Sequence, residues 1–235
     1  MPRALVLGGG GLWGAFEAGA YSEIEKHYDF DILVGASAGA LNACAIAGGM
    51  SGKDLEQLWL SSEPAATLKL HWPRYFLDGF ADTTILEATV RGMFEKLQAR
   101  KQLGLVVSQG WSLKQVLITK NITPDTVLAS CAIPFVLPAK RLGGVLSVDG
   151  GLRDPCPIFA AREMGATEIL AVNVWTHLPW WWYGWGREKR QRQGAIIEPA
   201  QRLGPLRSSA IWNTANIERW IAEGREAARA HFARQ

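Results

Sequence analysis

The sequence predicts an α/β fold, a three-layer α/β/α sandwich around a mainly parallel central sheet. Short apolar runs alternate with helical patterns from the start of the chain, and glycine-containing turns join the first strands to the helices that follow. Strands that are separated by helices pair in parallel and need helices on both faces of the sheet. No internal repeat interrupts this alternation.

The first two units each lead from a buried strand into a helix. Residues 4–7 form an apolar strand pattern, and residues 12–26 show helical spacing after a glycine turn. Residues 31–34 predict the second strand, and residues 38–47 are apolar on every side, as a helix inside the core should be. Ser37 therefore lies between a strand and a core helix.

Later elements follow from capping signals and apolar runs. The spacing of a hydroxyl and a carboxylate at Ser51 and at Thr84 predicts helices near 52–61 and 84–100. Thr123 stands before a proline and predicts another helix start. The remaining predicted elements are strands at 103–107, 116–119, 144–148 and 168–174 and a helix at 158–164.

We expect a single domain over residues 1–235, with a Trp-rich basic loop at about 175–195 and a C-terminal helical segment at about 211–233. The 235 residues, 48% of them hydrophobic, suffice for one core. A net charge of +3 is too small to predict a nucleic-acid partner. The three widely spaced cysteines match no metal-ligand pattern, so neither a metal nor a cofactor is expected. Because no apolar run is long enough for a membrane span or a signal peptide, we expect a cytoplasmic protein.

The strongest motif is G-x-S-x-G, formed by Gly35, Ser37 and Gly39. A serine on a sharp turn between strand and helix is held in a strained conformation with its hydroxyl accessible, and the flanking glycines let the two elements crowd together. The helix that follows directs its N-terminus at Ser37 and favours the negative charge that develops in acyl transfer. Ser37 is therefore the predicted nucleophile of a serine acyl-ester hydrolase.

A second turn between strand and helix is rich in glycine, with Gly9, Gly10, Gly11 and Gly14. Glycines let backbone amides approach an anion closely, either a phosphate or an oxyanion. The same residues match the dinucleotide fingerprint G-x-G-x-x-G, with Asp29 or Asp31 near the distance of a ribose-binding acid. A Rossmann-like dinucleotide-binding protein is therefore one alternative.

The base for Ser37 has two candidates in the sequence. His177 follows plausible acids in the chain and would complete a Ser-Asp-His triad esterase. Asp149, followed by Gly150 and Gly151, ends a predicted strand, and the carboxyl end of a parallel strand is where such sheets place their sites. Both candidates stay open on the residues alone.

The glycine turn, the G-x-S-x-G serine and the Asp-Gly-Gly motif, in this order, resemble the patatin-like phospholipases. The stretches at 129–134 and 149–157 are similar to stretches of that family as well, and the resemblance covers roughly residues 4–175. It implies a Ser37–Asp149 dyad without a histidine, an oxyanion hole at the glycine turn, an acyl-enzyme and a lipid ester as substrate. Trp13 stands where many members carry Arg or Lys, so phospholipid, lysophospholipid and neutral lipid all stay open as substrates.

The Trp-rich basic loop suggests contact with lipid. Tryptophan favours the membrane interface, and Lys and Arg are attracted to anionic lipid. The loop can therefore dock the protein peripherally on a membrane surface or form a lid over the site, or else cover a sheet edge or a dimer contact. An inactive member of the family that only binds lipid is a further alternative. The docking residues of this hypothesis are Trp180, Trp181, Trp182 and Trp185.

Overall fold

The computed structural model describes residues 1–62, 69–70, 79–95, 101–176 and 194–234. The strands are β1 Arg3–Leu7, β2 Ile32–Ala36, β3 Lys69–Leu70, β4 Ala81–Asp82, β5 Gln102–Gln109, β6 Lys114–Ile118, β7 Lys140–Leu142, β8 Val145–Asp149, β9 Glu168–Val172 and β10 Ala195–Ile197. The helices are α1 Gly14–Ile24, α2 Ala38–Ala47, α3 Gly52–Leu60, α4 Thr84–Glu95, α5 Pro124–Cys131, α6 Ile158–Glu163 and α7 Thr214–Phe232. Within these ranges, no helix combines the length and apolar composition that crossing a bilayer requires.

The central sheet has the order β10-β9-β1-β2-β5-β8-β7, and β6 also pairs with β5. The five strands from β10 to β5 run parallel, whereas β6 and β8 are antiparallel to β5 and β7 is antiparallel to β8. The prediction of a mainly parallel α/β sheet is confirmed. The strand that leads to Asp149 was expected to be parallel, and this was wrong because a short hairpin reverses the chain into it.

The register shows how β2 and β8 come together. β2 pairs with residues 102–106 of β5, and β6 pairs with residues 105–109, so these two strands occupy opposite edges of β5. β8 pairs with residues 107–109, where β6 already takes one edge, and must therefore lie on the edge of β2. Ala36 is opposite Val106, and Asp149 is opposite Val107. The carboxyl ends of β2 and β8 thus meet head to head.

Two hydrophobic cores lie on the two faces of the sheet. Along β1, Leu5 and Leu7 pack into the larger core, which includes residues of α1, α2, α3 and α7. Ala4 and Val6 point to the opposite face, where α6 covers the smaller core. This alternation follows from the two-residue period of a strand. Helices on both faces make the three-layer arrangement that the sequence predicts.

Some predicted boundaries differ from the structure. The first helix begins at Gly14, after a 3₁₀ turn over Gly11–Trp13, instead of at residue 12. The C-terminal helical segment expected at about 211–233 is α7, which begins after Asn213 caps it through the Asn216 amide. Most of the predicted Trp-rich loop, residues 177–193, lies outside the described residues.

Candidate active site

Ser37 occupies the turn between β2 and α2. Its φ of 53° and ψ of −126° lie outside the regions that non-glycine residues prefer, so the turn is strained. A Cβ at Gly35 would collide with the Gly39 carbonyl, and a Cβ at Gly39 would collide with the Leu7 carbonyl. The glycines of the motif therefore allow β2, α2 and β1 to pack closely around the serine, which is itself 6% exposed.

The end of α5 holds the backbone of Ser37. The Ser37 N–H donates to Ser130 Oγ at 3.0 Å, and this hydroxyl donates in turn to the Val106 carbonyl at 2.7 Å. Cys131 Sγ donates to the Ser37 carbonyl at 3.3 Å. Thr123 places α5 through a capping box at the other end of the helix. Both backbone polar groups of Ser37 are thus bound by side chains from one helix end.

Asp149 lies against Ser37 because β8 ends where β2 ends. Its side chain is 4% exposed and accepts a hydrogen bond from the Gly151 N–H at 2.7 Å. Burial raises the pKa of this carboxyl to about 6, and hydrogen bonding from the Ser37 side chain and the Gly151 amide opposes the rise. A Cβ at Gly150 would collide with the Val106 carbonyl, so a larger residue there would push the turn away from β5.

The glycine turn faces the same point. The Gly9 N–H donates to the Pro155 carbonyl at 2.6 Å, and Gly11 has a φ of 56°, which favours glycine. The N–H groups of Gly10 and Gly11 donate to no acceptor within the described ranges, and both residues line the cavity at Ser37. A Cβ at Gly9 would lie 3.0 Å from the Ser37 Cβ. Two unpaired amides beside a serine can bind an oxyanion.

Gly14, the fourth predicted residue of the oxyanion hole, has a different environment. It is the first residue of α1, and its carbonyl accepts a hydrogen bond from Asn42 Nδ2 at 3.0 Å. A Cβ at Gly14 would lie 2.7 Å from Trp59 Cζ2, which leaves no space for a side chain. Gly14 does not line the cavity within the described part of the chain. It permits helix packing behind the turn.

A cavity of about 820 Å³ opens from Ser37 and Asp149. Asp149 is the single charged side chain among its lining residues in the described ranges. Most of the apolar lining comes from α2, α3, α4 and the loop after α5. Its larger apolar members are Leu12, Leu41, Leu58, Trp59, Leu86, Met93, Ile133, Val136, Leu137, Leu152, Trp175 and Leu206. A cavity of this size and character suits a long hydrocarbon chain.

Trp13 supports the glycine turn from outside the cavity. It is 5% exposed, and its ring contacts the Trp175 ring edge-on at a centroid distance of 4.7 Å. Trp13 Nε1 donates to Ser208 Oγ at 3.3 Å, and Trp175 Nε1 donates to the Gly9 carbonyl. The position of Trp13 is therefore a packing position in this chain.

The two other sequence alternatives fare differently. The ribose acid of a dinucleotide site would be Asp29 or Asp31, but both precede β2 and lie at its amino end, opposite to the glycine turn. Asp31 accepts from the Arg3 N–H, and Asp29 pairs with Lys101. His177, the base of the triad alternative, lies outside the described residues. The described histidines, His27 and His231, are absent from the cavity lining.

Sequence reasoning missed several buried groups behind the site. Glu17 is fully buried below the glycine turn, and burial raises its pKa well above the ordinary value. Asn42 Nδ2 donates to Glu17 Oε2 at 2.8 Å, while Trp59 Nε1 donates to Asn42 Oδ1 at 2.8 Å. The uniformly apolar sequence neighbours of Glu17 and Asn42 were the signal that could have identified these two residues as buried polar groups.

Within the described ranges, no group of His, Cys, Asp and Glu could hold a metal ion.

The model of the family described as "Patatin-like phospholipase" matches residues 5–162 of the 235. The chain belongs to the patatin-like phospholipase family. A lysophospholipase NTE1 from Debaryomyces hansenii is 27% identical over 185 residues, which cover 72% of this chain and 12% of that protein. An uncharacterized NTE family protein from Mycobacterium bovis is 27% identical over 185 residues, or 30% of its length. This patatin-like chain therefore spans only a small part of these relatives.

Solved structures show the same fold at low sequence identity. VipD from Legionella pneumophila superposes with a TM-score of 0.58 at 13% identity, covering 99% of this patatin-like chain and 67% of VipD. ExoU, in its complex with SpcU from Pseudomonas aeruginosa, gives a TM-score of 0.53 at 17% identity, with 98% and 52% covered. These similarities confirm the α/β architecture.

Proposed function

We propose that this chain hydrolyses lipid esters, with Ser37 as nucleophile and Asp149 as its general base. The observation that carries the proposal is the buried Asp149 carboxyl beside the strained Ser37 at the base of an apolar cavity. Family membership supports lipid acyl hydrolysis, and the relatives named lysophospholipases support the same substrate class. A base with a pKa of about 6 is ionised at neutral pH and can still accept a proton effectively.

The mechanism follows from these positions. Asp149 accepts the hydroxyl proton while Ser37 Oγ attacks the ester carbonyl, and the Gly10 and Gly11 amides stabilise the oxyanion. The tetrahedral intermediate collapses, and Asp149 returns its proton to the leaving alcohol. A water molecule then attacks the acyl-enzyme while Asp149 accepts a proton from this water. The fatty acid leaves, and Ser37 regains its proton from Asp149.

The cavity favours an ester with a long acyl chain. Each buried methylene contributes about 0.8 kcal/mol to binding, so long chains should lower KM until the cavity is filled. Trp13 provides no cation for a phosphate, and so the proposed substrates include neutral lipids and lysophospholipids alongside phospholipids. Hydrolysis of p-nitrophenyl esters of increasing chain length, then of monoacylglycerol and lysophosphatidylcholine, measures both preferences.

The decisive experiment is fluorophosphonate labelling followed by mass spectrometry. We expect one adduct on Ser37, and a loss of ester hydrolysis of about a thousandfold or more in Ser37→Ala and Asp149→Asn. His177→Ala is the matched comparison. Activity loss in His177→Ala as severe as in Ser37→Ala would replace the dyad with a triad. Lipid binding without labelling or turnover would instead indicate an inactive lipid-binding member.

We also propose that the chain docks on lipid surfaces through the 3₁₀ turn Leu206–Ser209 and the residues after it. Leu206 and Ser209 line the cavity, yet Leu206 is 62% exposed and Ile211 is 63% exposed. The chain from residue 199 to 217 carries two arginines and no acid, which suits anionic lipid. The apolar side chains at the mouth would enter the interface while lipid enters the cavity.

Liposome sedimentation separates this surface from the Trp-rich loop. The vesicles contain phosphatidylcholine and phosphatidylserine. The double variant Leu206→Ser, Ile211→Ser should reduce binding to them severalfold. A second variant, in which Trp181, Trp182 and Trp185 are changed to Ser, tests the Trp-rich loop. Trp111→Ser is the matched control, because Trp111 is 93% exposed on the β5–β6 turn and is absent from the cavity lining in the described ranges. Equal losses in the control and the Leu206/Ile211 variant would refute docking through the mouth.

A further inference from the structure

The hydrogen-bond ladder between β2 and β5 ends with a side-chain hydroxyl in place of a backbone-to-backbone bond. The Gln102 N–H donates to the Asp31 carbonyl, and this bond sets the phase of the parallel ladder. Because a parallel ladder repeats every two residues, the carbonyl of Gln102 faces the amide of Leu33, and the carbonyl of Gly104 faces the amide of Gly35. The next carbonyl in this series is that of Val106. The next amide after β2 is that of Ser37. A regular ladder would therefore join the Ser37 N–H directly to the Val106 carbonyl.

The Ser130 hydroxyl stands between these two groups. It accepts from the Ser37 N–H at 3.0 Å and donates to the Val106 carbonyl at 2.7 Å. Ser130 is fully buried, so no water competes for either hydrogen bond. One hydroxyl can serve both partners because it is a donor and an acceptor at once. The hydroxyl therefore bridges the Ser37 N–H and the Val106 carbonyl in place of a direct hydrogen bond.

This insertion explains how the strained backbone is maintained. Ser37 can leave the extended conformation of β2 and reach a φ of 53° without leaving a buried amide or carbonyl unpaired. Cys131, the next residue, binds the Ser37 carbonyl at 3.3 Å. α5 thus fixes both ends of the residue that carries the reactive hydroxyl.

We propose that Ser130 is a positioning residue whose hydroxyl replaces the last ladder bond and holds Ser37 in its reactive conformation. The proposal rests on the proposed role of Ser37 as nucleophile. Without the hydroxyl, either the amide and carbonyl lose their partners or Ser37 moves toward β5 to pair directly. Both results displace Ser37 Oγ from Asp149 and from the Gly10 and Gly11 amides.

The test compares Ser130→Thr with Ser130→Val. These side chains have the same shape, and only threonine keeps the hydroxyl, so any effect of the added methyl is common to both. We expect Ser130→Val to lower kcat by about tenfold to a hundredfold relative to Ser130→Thr, with KM within about twofold, because a small displacement of a catalytic group reduces rate by this order. The rate of fluorophosphonate labelling should fall in parallel.

Ser108→Ala is the matched control. Ser108 is a fully buried serine on β5, and its hydroxyl has no hydrogen-bond partner within the described part of the chain. This variant should keep kcat within about twofold of the wild-type value, since it breaks no hydrogen bond. Ser130→Ala should resemble Ser130→Val. Its thermal unfolding is measured beside its kcat.

Two outcomes would overturn the proposal. One is equal kcat in Ser130→Thr and Ser130→Val, and the other is a loss in Ser130→Val that appears wholly in KM. Failure of the proposed function is a separate result, because wild-type protein would then show neither labelling at Ser37 nor ester hydrolysis. The comparison of threonine with valine is made on folded protein only, as judged by cooperative unfolding of both variants.

Discussion

Replacing Asp149 by asparagine should increase stability at neutral pH while it removes catalysis. In the folded protein burial raises the pKa of this carboxyl from an ordinary 3.8 to about 6. The ionised form is therefore disfavoured in the folded state relative to the unfolded chain. Below about pH 3 the carboxyl is neutral in both states and carries no penalty. Between about pH 4 and about pH 6 the carboxyl ionises in the unfolded chain but not yet in the folded protein, so the free energy of unfolding falls as pH rises through this interval.

The magnitude follows from the two pKa values. The penalty is about 1 kcal/mol at about pH 4.5 and reaches about 3 kcal/mol above about pH 7, so the change across this interval is about 2 kcal/mol. The asparagine side chain of the variant cannot ionise. The difference in free energy of unfolding between Asp149→Asn and wild type should therefore grow by about 2 kcal/mol from about pH 4.5 to about pH 7.5, in favour of the variant.

Urea unfolding of both proteins at a series of pH values measures this difference. A constant offset from the packing of the amide does not matter, because only the change with pH is used. Carboxyls with lowered pKa values, such as Glu23, Asp29 and Glu87, affect both proteins equally and cancel. A difference that stays flat over this pH interval would refute a raised pKa at Asp149. In a Ser37→Ala background the interval should move to higher pH, because the opposing hydrogen bond is gone.

Three further predictions use the same structure. The kcat/KM of the wild-type protein should fall as pH drops through about 6, to roughly a tenth at about pH 5, as a pH–rate profile would show; a flat profile would contradict Asp149 as base. Gly11→Ala should abolish hydrolysis, because its φ of 56° disfavours alanine and its Cβ would collide with the Ser209 carbonyl; wild-type turnover would exclude this turn from the oxyanion hole. Gly224→Ala should lower the free energy of unfolding by about 1–3 kcal/mol, because its Cβ would collide with the Phe16 carbonyl where α1 crosses α7. In contrast, a Cβ at Gly92 on α4 would meet nothing within 4 Å, so Gly92→Ala should raise the free energy of unfolding by up to about 1 kcal/mol. Equal shifts in the two denaturation curves would contradict the close crossing.

The sequence could predict the elements that depend on local pattern. Each element around Ser37 depends on residues within about ten positions of one another. The buried strand, the glycine turn and the apolar helix can therefore be predicted from hydrophobic periodicity and turn residues. The same holds for the start of α5, where Thr123 and a proline mark the first turn. Local signals were sufficient wherever the structure itself is local.

The parts that could not be predicted depend on long-range pairing. β8 reads as one more strand of a parallel sheet, and no residue in it reveals that it pairs antiparallel with β5. Ser130 lies 93 residues after Ser37, and a serine near the end of an apolar helix gives no sign that it will enter a strand ladder. Both facts come from the register of β5, which is set by the whole sheet.

The meeting of β2 and β8 explains how a carboxylate comes to lie beside Ser37. A strand that arrives antiparallel on the same edge of β5 brings its last carboxylate directly to the end of β2, and pairing through Val106 and Val107 fixes the spacing. Asp149 lines the cavity but is only 4% exposed, and this burial raises the pKa of its carboxyl. In the proposed mechanism, burial makes Asp149 a stronger base than an exposed carboxylate would be, at a cost in folding stability.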